Sequence, residues 1–475
     1  MAAQKIYRGQ LHRRHGADSP QCLGQGGRLH PYRRRLGRLR FLVQACGSRL
    51  SRRAMPAGAR GVSQSCRFDD DALHHALATA SFAHLAGAPS LVGVSPGQAV
   101  ILQLLREWPP GYGGVERVAH ELASVWGGTV YSFDAQGLAQ QQQDALPVTY
   151  PRQRLACTFP FGRLLLPLPS RALWRLLRDP QPLHGHLPSP GVLLVLLLAR
   201  LLRRRRRVTA HWHSFLDPDP GLSGVLVVLY QRLALWGLPR LSAVVTTSPL
   251  LAQELVRCGC RPEQVQVLPC CLSAAQEALA LALPPRTPRS GDPLRLIFIG
   301  RLDSYKRLDW LLEALATLQT PWQLAVVGDG PQRLALEALS QALVAASAWG
   351  CVRFHGRLPE AAKQRELAAA ELLVLPSDRC HEAFGIVQLE AMAAGIPALA
   401  FQLPRSGMGW VGQLPDLDWP QTPEALPAVL QRLAASPSLR ARLGVQARER
   451  YQRLFARRIW EPQLQRLYPA PDATG

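Results

Sequence analysis

Leu372-Leu-Val-Leu375 runs straight into Pro376-Ser-Asp-Arg-Cys-His-Glu382-Ala-Phe-Gly385-Ile-Val-Gln-Leu-Glu390-Ala-Met-Ala-Ala-Gly395-Ile-Pro397. Four consecutive apolar residues read as a strand buried on both faces, as in a parallel sheet covered by helices. Pro376 and Asp378 end that strand, the run after Gly385 reads as a helix, and Gly395 with Pro397 stops it. Strand, loop and helix in this order form one unit of a doubly wound sheet, whose ligands bind beyond the carboxyl ends of the strands. Glu382 falls in the loop and Glu390 about one turn into the helix, so both face one cleft mouth. Glu390 has Leu389, Ala391, Met392 and Ala393 as neighbours, so its carboxylate needs a polar partner. Sugar and ribose hydroxyls are such partners. The plainer reading is a surface contact for Glu382 and a helix-flank pair for Glu390.

Outward from this unit the alternation repeats. Strands are expected at 100–105, 129–133, 207–211, 243–247 and 265–268, with helices at 115–126 and 250–257. The stretch 284–293 holds four prolines and a glycine and reads as a linker. Alternation then restarts, with strands at 294–299, 323–327, 352–355, 372–375 and 398–401 and helices at 308–318 and 332–346. The expected fold class is α/β, two Rossmann-like doubly wound domains facing a cleft, over 96–283 and 294–468. Residues 1–95 show no sustained period. A transit peptide, a disordered extension or translated upstream sequence would each look like this, and the abrupt onset of patterning at Val100 favours the last.

The Glu382–Glu390 segment resembles the Glu-x7-Glu motif of the family-4 retaining glycosyltransferases, which have the GT-B fold. The resemblance runs from about residue 100 to the C-terminal helix, with several motifs in the family's order. It implies that Glu382 contacts hexose hydroxyls, Glu390 holds the ribose, and the backbone amides of Phe384 and Gly385 face the sugar. Ile297-Phe-Ile-Gly300-Arg301-Leu-Asp-Ser-Tyr-Lys306 resembles the strand–Gly-Arg–loop–Lys segment that grips the diphosphate. Two fixed cations suit a leaving group on which negative charge grows. Gly113 and Gly114, in a glycine loop opening a helix, correspond to the segment reaching over the donor phosphate. Leu183-His-Gly-His186-Leu-Pro188 resembles a His-x-His-x-Pro strand end, implying His186 near the reacting carbon, with His213 at the next strand end lining the cleft. Val326-Val-Gly328-Asp329-Gly330-Pro331 also follows the family and reads chiefly as a tight turn. Arg357, after the strand at 352–355, is a nucleotide candidate. Two loops depart from the family: Pro269-Cys-Cys-Leu-Ser273 stands where Pro-x-Gly-x-Asp is usual, and Gly407-Met-Gly409-Trp410 is a less common form.

The implied donor is a nucleotide-diphosphate sugar and the acceptor a saccharide or lipid-linked saccharide, in cell-surface polysaccharide or lipopolysaccharide biosynthesis. No cofactor and no metal are expected; Asp217-Pro-Asp219, lying between prolines, reads as a turn. The net charge of +22 is uneven, since residues 1–100 carry 15 Lys and Arg against four Asp. Only three basic residues are lysines, Lys5, Lys306 and Lys363. Without a nucleic-acid motif, the charge makes a nucleic-acid-binding protein an alternative and not the main reading. A sugar-nucleotide epimerase of the same fold is the other alternative. The ten cysteines contain no Cys-x-x-Cys pair and read as reduced thiols in a cytoplasmic protein. No run of 18 apolar residues occurs, and the longest, at 192–202, reads as a buried helix. Arginines 152, 154, 163, 171, 175 and 178 around apolar residues 159–168 and 173–177 suggest peripheral contact with an anionic membrane, a solvated face being the plain alternative.

Overall fold

The computed structural model describes residues 100–107, 113–133, 148–158, 165–347 and 349–468. The expectation for residues 1–95 lies outside them. The first half alternates β1 (Leu102–Leu105), α1 (Gly114–Trp126), β2 (Val130–Ser132), β3 (Arg152–Arg154), α2 (Arg171–Arg178), β4 (Leu183–Leu187), α3 (Pro190–Leu202), β5 (Val208–Trp212), α4 (Leu222–Gly237), β6 (Ala243–Thr246), α5 (Pro249–Arg257) and β7 (Val265–Val267). After α6 (Ala274–Ala282) the second half runs β8 (Leu294–Ile299), α7 (Leu308–Ala316), β9 (Trp322–Val327), α8 (Arg333–Ala346), β10 (Gly350–Gly356), α9 (Glu360–Ala369), β11 (Leu372–Leu375), α10 (Val387–Ala393) and β12 (Ala398–Ala400). Four helices close the chain: α11 (Met408–Val411), α12 (Leu426–Ala435), α13 (Pro437–Leu454) and α14 (Arg457–Leu467).

Every strand pair within the two sheets is parallel. The first sheet is ordered β3-β2-β1-β4-β5-β6-β7 and the second β10-β9-β8-β11-β12. Both orders reverse beside their first strand, between β1 and β4 and between β8 and β11. At these switch points neighbouring helices leave on opposite faces and a crevice opens. Strands β1, β4, β5, β6, β11 and β12 are buried throughout because both faces are covered. Edge strands β3, β7 and β10 differ: β3 exposes Arg152 and Arg154, and β7 and β10 are half-buried.

The second half's core continues into the first through Ile101, Val118, Leu122 and Trp126. Helix α14, within the span expected for the second domain, packs back on the first half. Arg457 pairs with Glu121 at 2.6 Å, and Trp460 Nε1 donates to the Pro269 carbonyl at 3.0 Å. Among the described residues Cys260, Cys270, Cys271 and Cys380 are buried thiols, but Cys351 is disulfide-bonded, which corrects the expectation of reduced thiols throughout.

Candidate active site

The loops after β8 and β11 lie on adjacent strands at the second switch point, and three bonds join them. The amide of Asp378 donates to the Tyr305 carbonyl at 3.0 Å. Arg307 Nη1 donates to Asp378 Oδ2 at 3.2 Å while the same guanidinium forks onto Asp309. Lys306 Nζ donates to Glu382 Oε2. Asp303 Oδ1 caps the turn that carries Lys306, accepting from Ser304 N at 2.8 Å. Burial alone would lower the Lys306 pKa, but the Glu382 carboxylate, Tyr305 and Asp303 together outweigh it and hold the ammonium above its ordinary value. An ammonium has three donors, so two remain beyond the one given to Glu382.

Glu382 is braced from behind. Ser406 Oγ donates to its carbonyl at 2.6 Å, and Gly407 N to the next carbonyl, Ala383, at 2.8 Å. The less common glycine loop therefore supports the motif loop. The Gly328–Gly330 turn supports the other one: Gly328 has φ +138°, and a Cβ there would fall 1.9 Å from the Gly300 carbonyl oxygen. Only glycine lets these backbones approach so closely.

Glu390 is almost fully buried on α10. Lys363 Nζ of α9 lies 2.7 Å from Oε2, and Arg117 Nη1 of α1 lies 4.0 Å from Oε1. Oε2 is buried and held by the Lys363 ammonium. Neither cation was legible as part of the site, because each comes from a distant element; the rarity of lysine in this chain was the available signal for Lys363. Gly114 stands opposite the motif loop, since a Cβ on it would meet Ile386 at 3.7 Å. Gly113 is the N-cap of α1 and is covered by the Glu116 carboxylate.

Asp217-Pro-Asp219, expected to be a turn, is an irregular segment that ties the two halves together. Asp217 Oδ2 accepts from Cys380 N at 2.8 Å, and Asp219 pairs with Arg379 at 3.4 Å. The altered loop at 269–273 keeps a helix cap: Ser273 and Gln276 form a capping box on α6.

The expected residues are not all gathered together. Lys306 and Glu382 touch; Phe384 packs edge-on against Phe455 beneath them, and Gly385 turns the chain with φ +70°. Arg301 is mostly exposed and reaches Asp303 at 3.7 Å, with no bond to Lys306 or Glu382. Arg357 is exposed at the end of edge strand β10, two strands from β8 and so about 10 Å away. His186 is only 2% exposed and has both ring nitrogens engaged, at 2.9 Å from Gln103 Oε1 and from His213 Nε2. The Gln103 carbonyl requires a proton on His186 Nε2, so Nδ1 accepts from His213 Nε2–H. The ring expected near the reacting carbon is thus engaged inward, because His186 on β4, His211 on β5 and His213 just beyond β5 stack on one another, with His184 edge-on to His186 and His211.

Burial holds His184, His186 and His213 well below the usual imidazole pKa, and His211 is lowered to about 3. Below pH 6.5 the unfolded chain takes up protons on these rings while the native chain does not. Stability therefore falls with pH through this window, by about 1.4 kcal/mol per unit for each ring. Thermal melts between pH 7 and 4 are expected to show a steep loss that His211→Leu reduces; equal slopes would contradict neutral burial of this ring.

Two all-parallel sheets, with their switch-point loops meeting across a crevice, define the GT-B architecture. Residues 112–276 match the family Glycosyltransferase Family 4, and residues 282–450 match Glycosyl transferases group 1. The chain belongs to the family-4-like glycosyltransferases of GT-B fold. It is 30% identical over 166 residues to the D-rhamnosyltransferase WbpZ of Pseudomonas aeruginosa, covering 34% of this chain and 42% of that protein. It is 31% identical over 189 residues to the 2-deoxystreptamine glucosyltransferase of Streptomyces kanamyceticus, covering 37% and 46%. The chain thus spans less than half the length of these curated relatives. Among solved structures, Anabaena Alr3699/HepE in complex with UDP and glucose superposes with a TM-score of 0.57 at 19% identity, covering 78% of this chain and 100% of that one.

Proposed function

We propose that this protein moves a hexosyl group from a nucleotide-diphosphate sugar to a saccharide or lipid-linked saccharide, with retention of anomeric configuration. The observation that carries this reading is the buried Lys306 ammonium bound to the Glu382 carboxylate at the second switch point. In this reading the ammonium's remaining donors take the leaving diphosphate, helped by Arg301 from the same loop. Glu382 orients the hexose hydroxyls, Glu390 holds the ribose, and the amides of Phe384 and Gly385 face the sugar. Gly113 and Gly114 let the phosphate approach α1. Glu382 is engaged by a cation and acts by positioning, so the acceptor attacks the anomeric carbon from the face that the diphosphate leaves. The acceptor proton goes to the departing phosphate oxygen. Protein cations supply the charge that a metal provides elsewhere.

The relatives support a sugar-nucleotide donor: one neighbour binds UDP-glucose, and another is named a lipopolysaccharide outer core galactosyltransferase. A cell-surface polysaccharide or lipopolysaccharide product and a place on the cytoplasmic face of the membrane belong to the same proposal. The test is thermal shift against a panel of nucleotide sugars, followed by incubation of the best donor with and without lipid-linked acceptors. A stabilising donor consumed only with acceptor, giving an axial or equatorial linkage matching the donor's, is expected. Isomerised donor without acceptor would point to an epimerase, and no shift with any donor would overturn the reading.

A further inference from the structure

Of the surface expected from the sequence around α2, residues 159–164 lie outside the described residues; Leu166, Leu168 and Trp174 stay exposed, while Leu176 and Leu177 turn into the core. Helix α4 is built the opposite way. Its inward face is small or polar, with Gly224, Gln231, Ala234 and Gly237 buried. Gln231 fastens it by accepting from Leu216 N at 2.9 Å and donating to Leu216 O at 2.8 Å. Its outward face is Leu222, Val225, Leu226, Leu229, Leu233 and Trp236, each between 49% and 76% exposed. Spacings of three and four put all six on one stripe. A helix of a water-soluble fold normally buries such a stripe.

The surroundings are basic. Residues 165–240 contain 11 arginines, three aspartates and no lysine or glutamate, and two of those aspartates, Asp217 and Asp219, are tied to the second half. Right-handed crossovers put α2, α3 and α4 on one face of the sheet. On that layer Leu201 and Leu202 are exposed and run into exposed Arg203, Arg204 and Arg205. Arg240 lies over the Trp236 ring at 3.6 Å, and Arg178 over exposed Trp174 at 4.8 Å.

We propose that the outer face of α4 docks on an anionic lipid surface. The six apolar side chains enter the boundary between headgroups and acyl chains, and Arg203, Arg204, Arg205, Arg232 and Arg240 meet the anionic headgroups. The helix lies flat. It is long and apolar enough to cross a bilayer by composition, but its ends feed β5 and β6, adjacent parallel strands of one sheet, and it packs on α3. Charge chooses lipid over a second copy of the chain, because a two-fold contact through this stripe would set the arginine collars against each other. This assigns residues to the membrane contact proposed above and does not depend on the transfer reaction.

Flotation of the full chain with phosphatidylcholine–phosphatidylglycerol vesicles, and with phosphatidylcholine alone, tests it. Binding is expected to the anionic vesicles, weakened about tenfold by Leu229→Gln with Leu233→Gln and by high salt. These side chains face outward, so the double variant should keep its melting temperature. Arg203→Glu with Arg205→Glu should weaken binding to anionic vesicles alone. No flotation of the native chain, equal flotation of the double variant, or a dimer in sedimentation that the double variant abolishes without any lipid binding would each overturn the proposal.

Discussion

Glu382→Gln is expected to lower turnover about 10²-fold with little change in donor KM, because it removes a positioning charge and keeps the side-chain shape. The backbone at this residue is held independently by Ser406 Oγ and Gly407 N, so the loop should keep its place. What changes is the acceptor facing Lys306. A carboxamide presents one oxygen and no charge, leaving the buried ammonium with a weaker partner and the hexose with one acceptor fewer. A loss of about 1–3 kcal/mol in stability should accompany the change. Initial rates and a thermal melt on the same preparation separate the two effects. Near-normal turnover would remove Glu382 from the reacting centre.

Lys306→Ala should weaken nucleoside-diphosphate binding by about 10²-fold, the worth of a charge-assisted hydrogen bond or two in a water-poor site. Calorimetric titration with UDP reads it directly. Glu382, Tyr305 and Asp303 together outweigh burial and hold the Lys306 pKa above its ordinary value, so the ammonium stays charged across the neutral range. Any pH dependence of binding between about 6 and 9 must then come from the nucleotide or another group, which the titration can check. Lys306→Arg keeps the charge but replaces a compact ammonium with a planar fork and should recover only part of the affinity. Unchanged binding in the alanine variant would take this residue out of the phosphate site.

The fold was legible where burial wrote itself into the residues. Strands such as Leu294–Ile299 and Leu372–Leu375 are apolar runs closed by proline or glycine, and they stand where the pattern put them. Edge strand Arg152–Arg154 was invisible: half-exposed arginines carry no periodic signal, and only the pairing with β2 makes it a strand. Helix α4 was missed for the reverse reason. Its apolar face points outward and its inward glycines and glutamine interrupt the run, so neither a buried helix nor a membrane span was recognisable. Of the candidate site, the Lys306–Glu382 meeting was readable because both residues stand in loops that follow buried, adjacent strands. Lys363 and Arg117 reach Glu390 from α9 and α1, and such meetings are set by how the elements pack.

Helix α14 finishes the first half with residues encoded at the far end of the chain. The Tyr468 hydroxyl just beyond it contacts His184 and Thr209, and Arg207 donates to the Leu467 carbonyl. Hybrid enzymes made by joining halves of two relatives at 284–293 would thus inherit a foreign lid over the histidine stack. A working chimera should need a second crossover near residue 456, so that the last helix travels with the first half it seals.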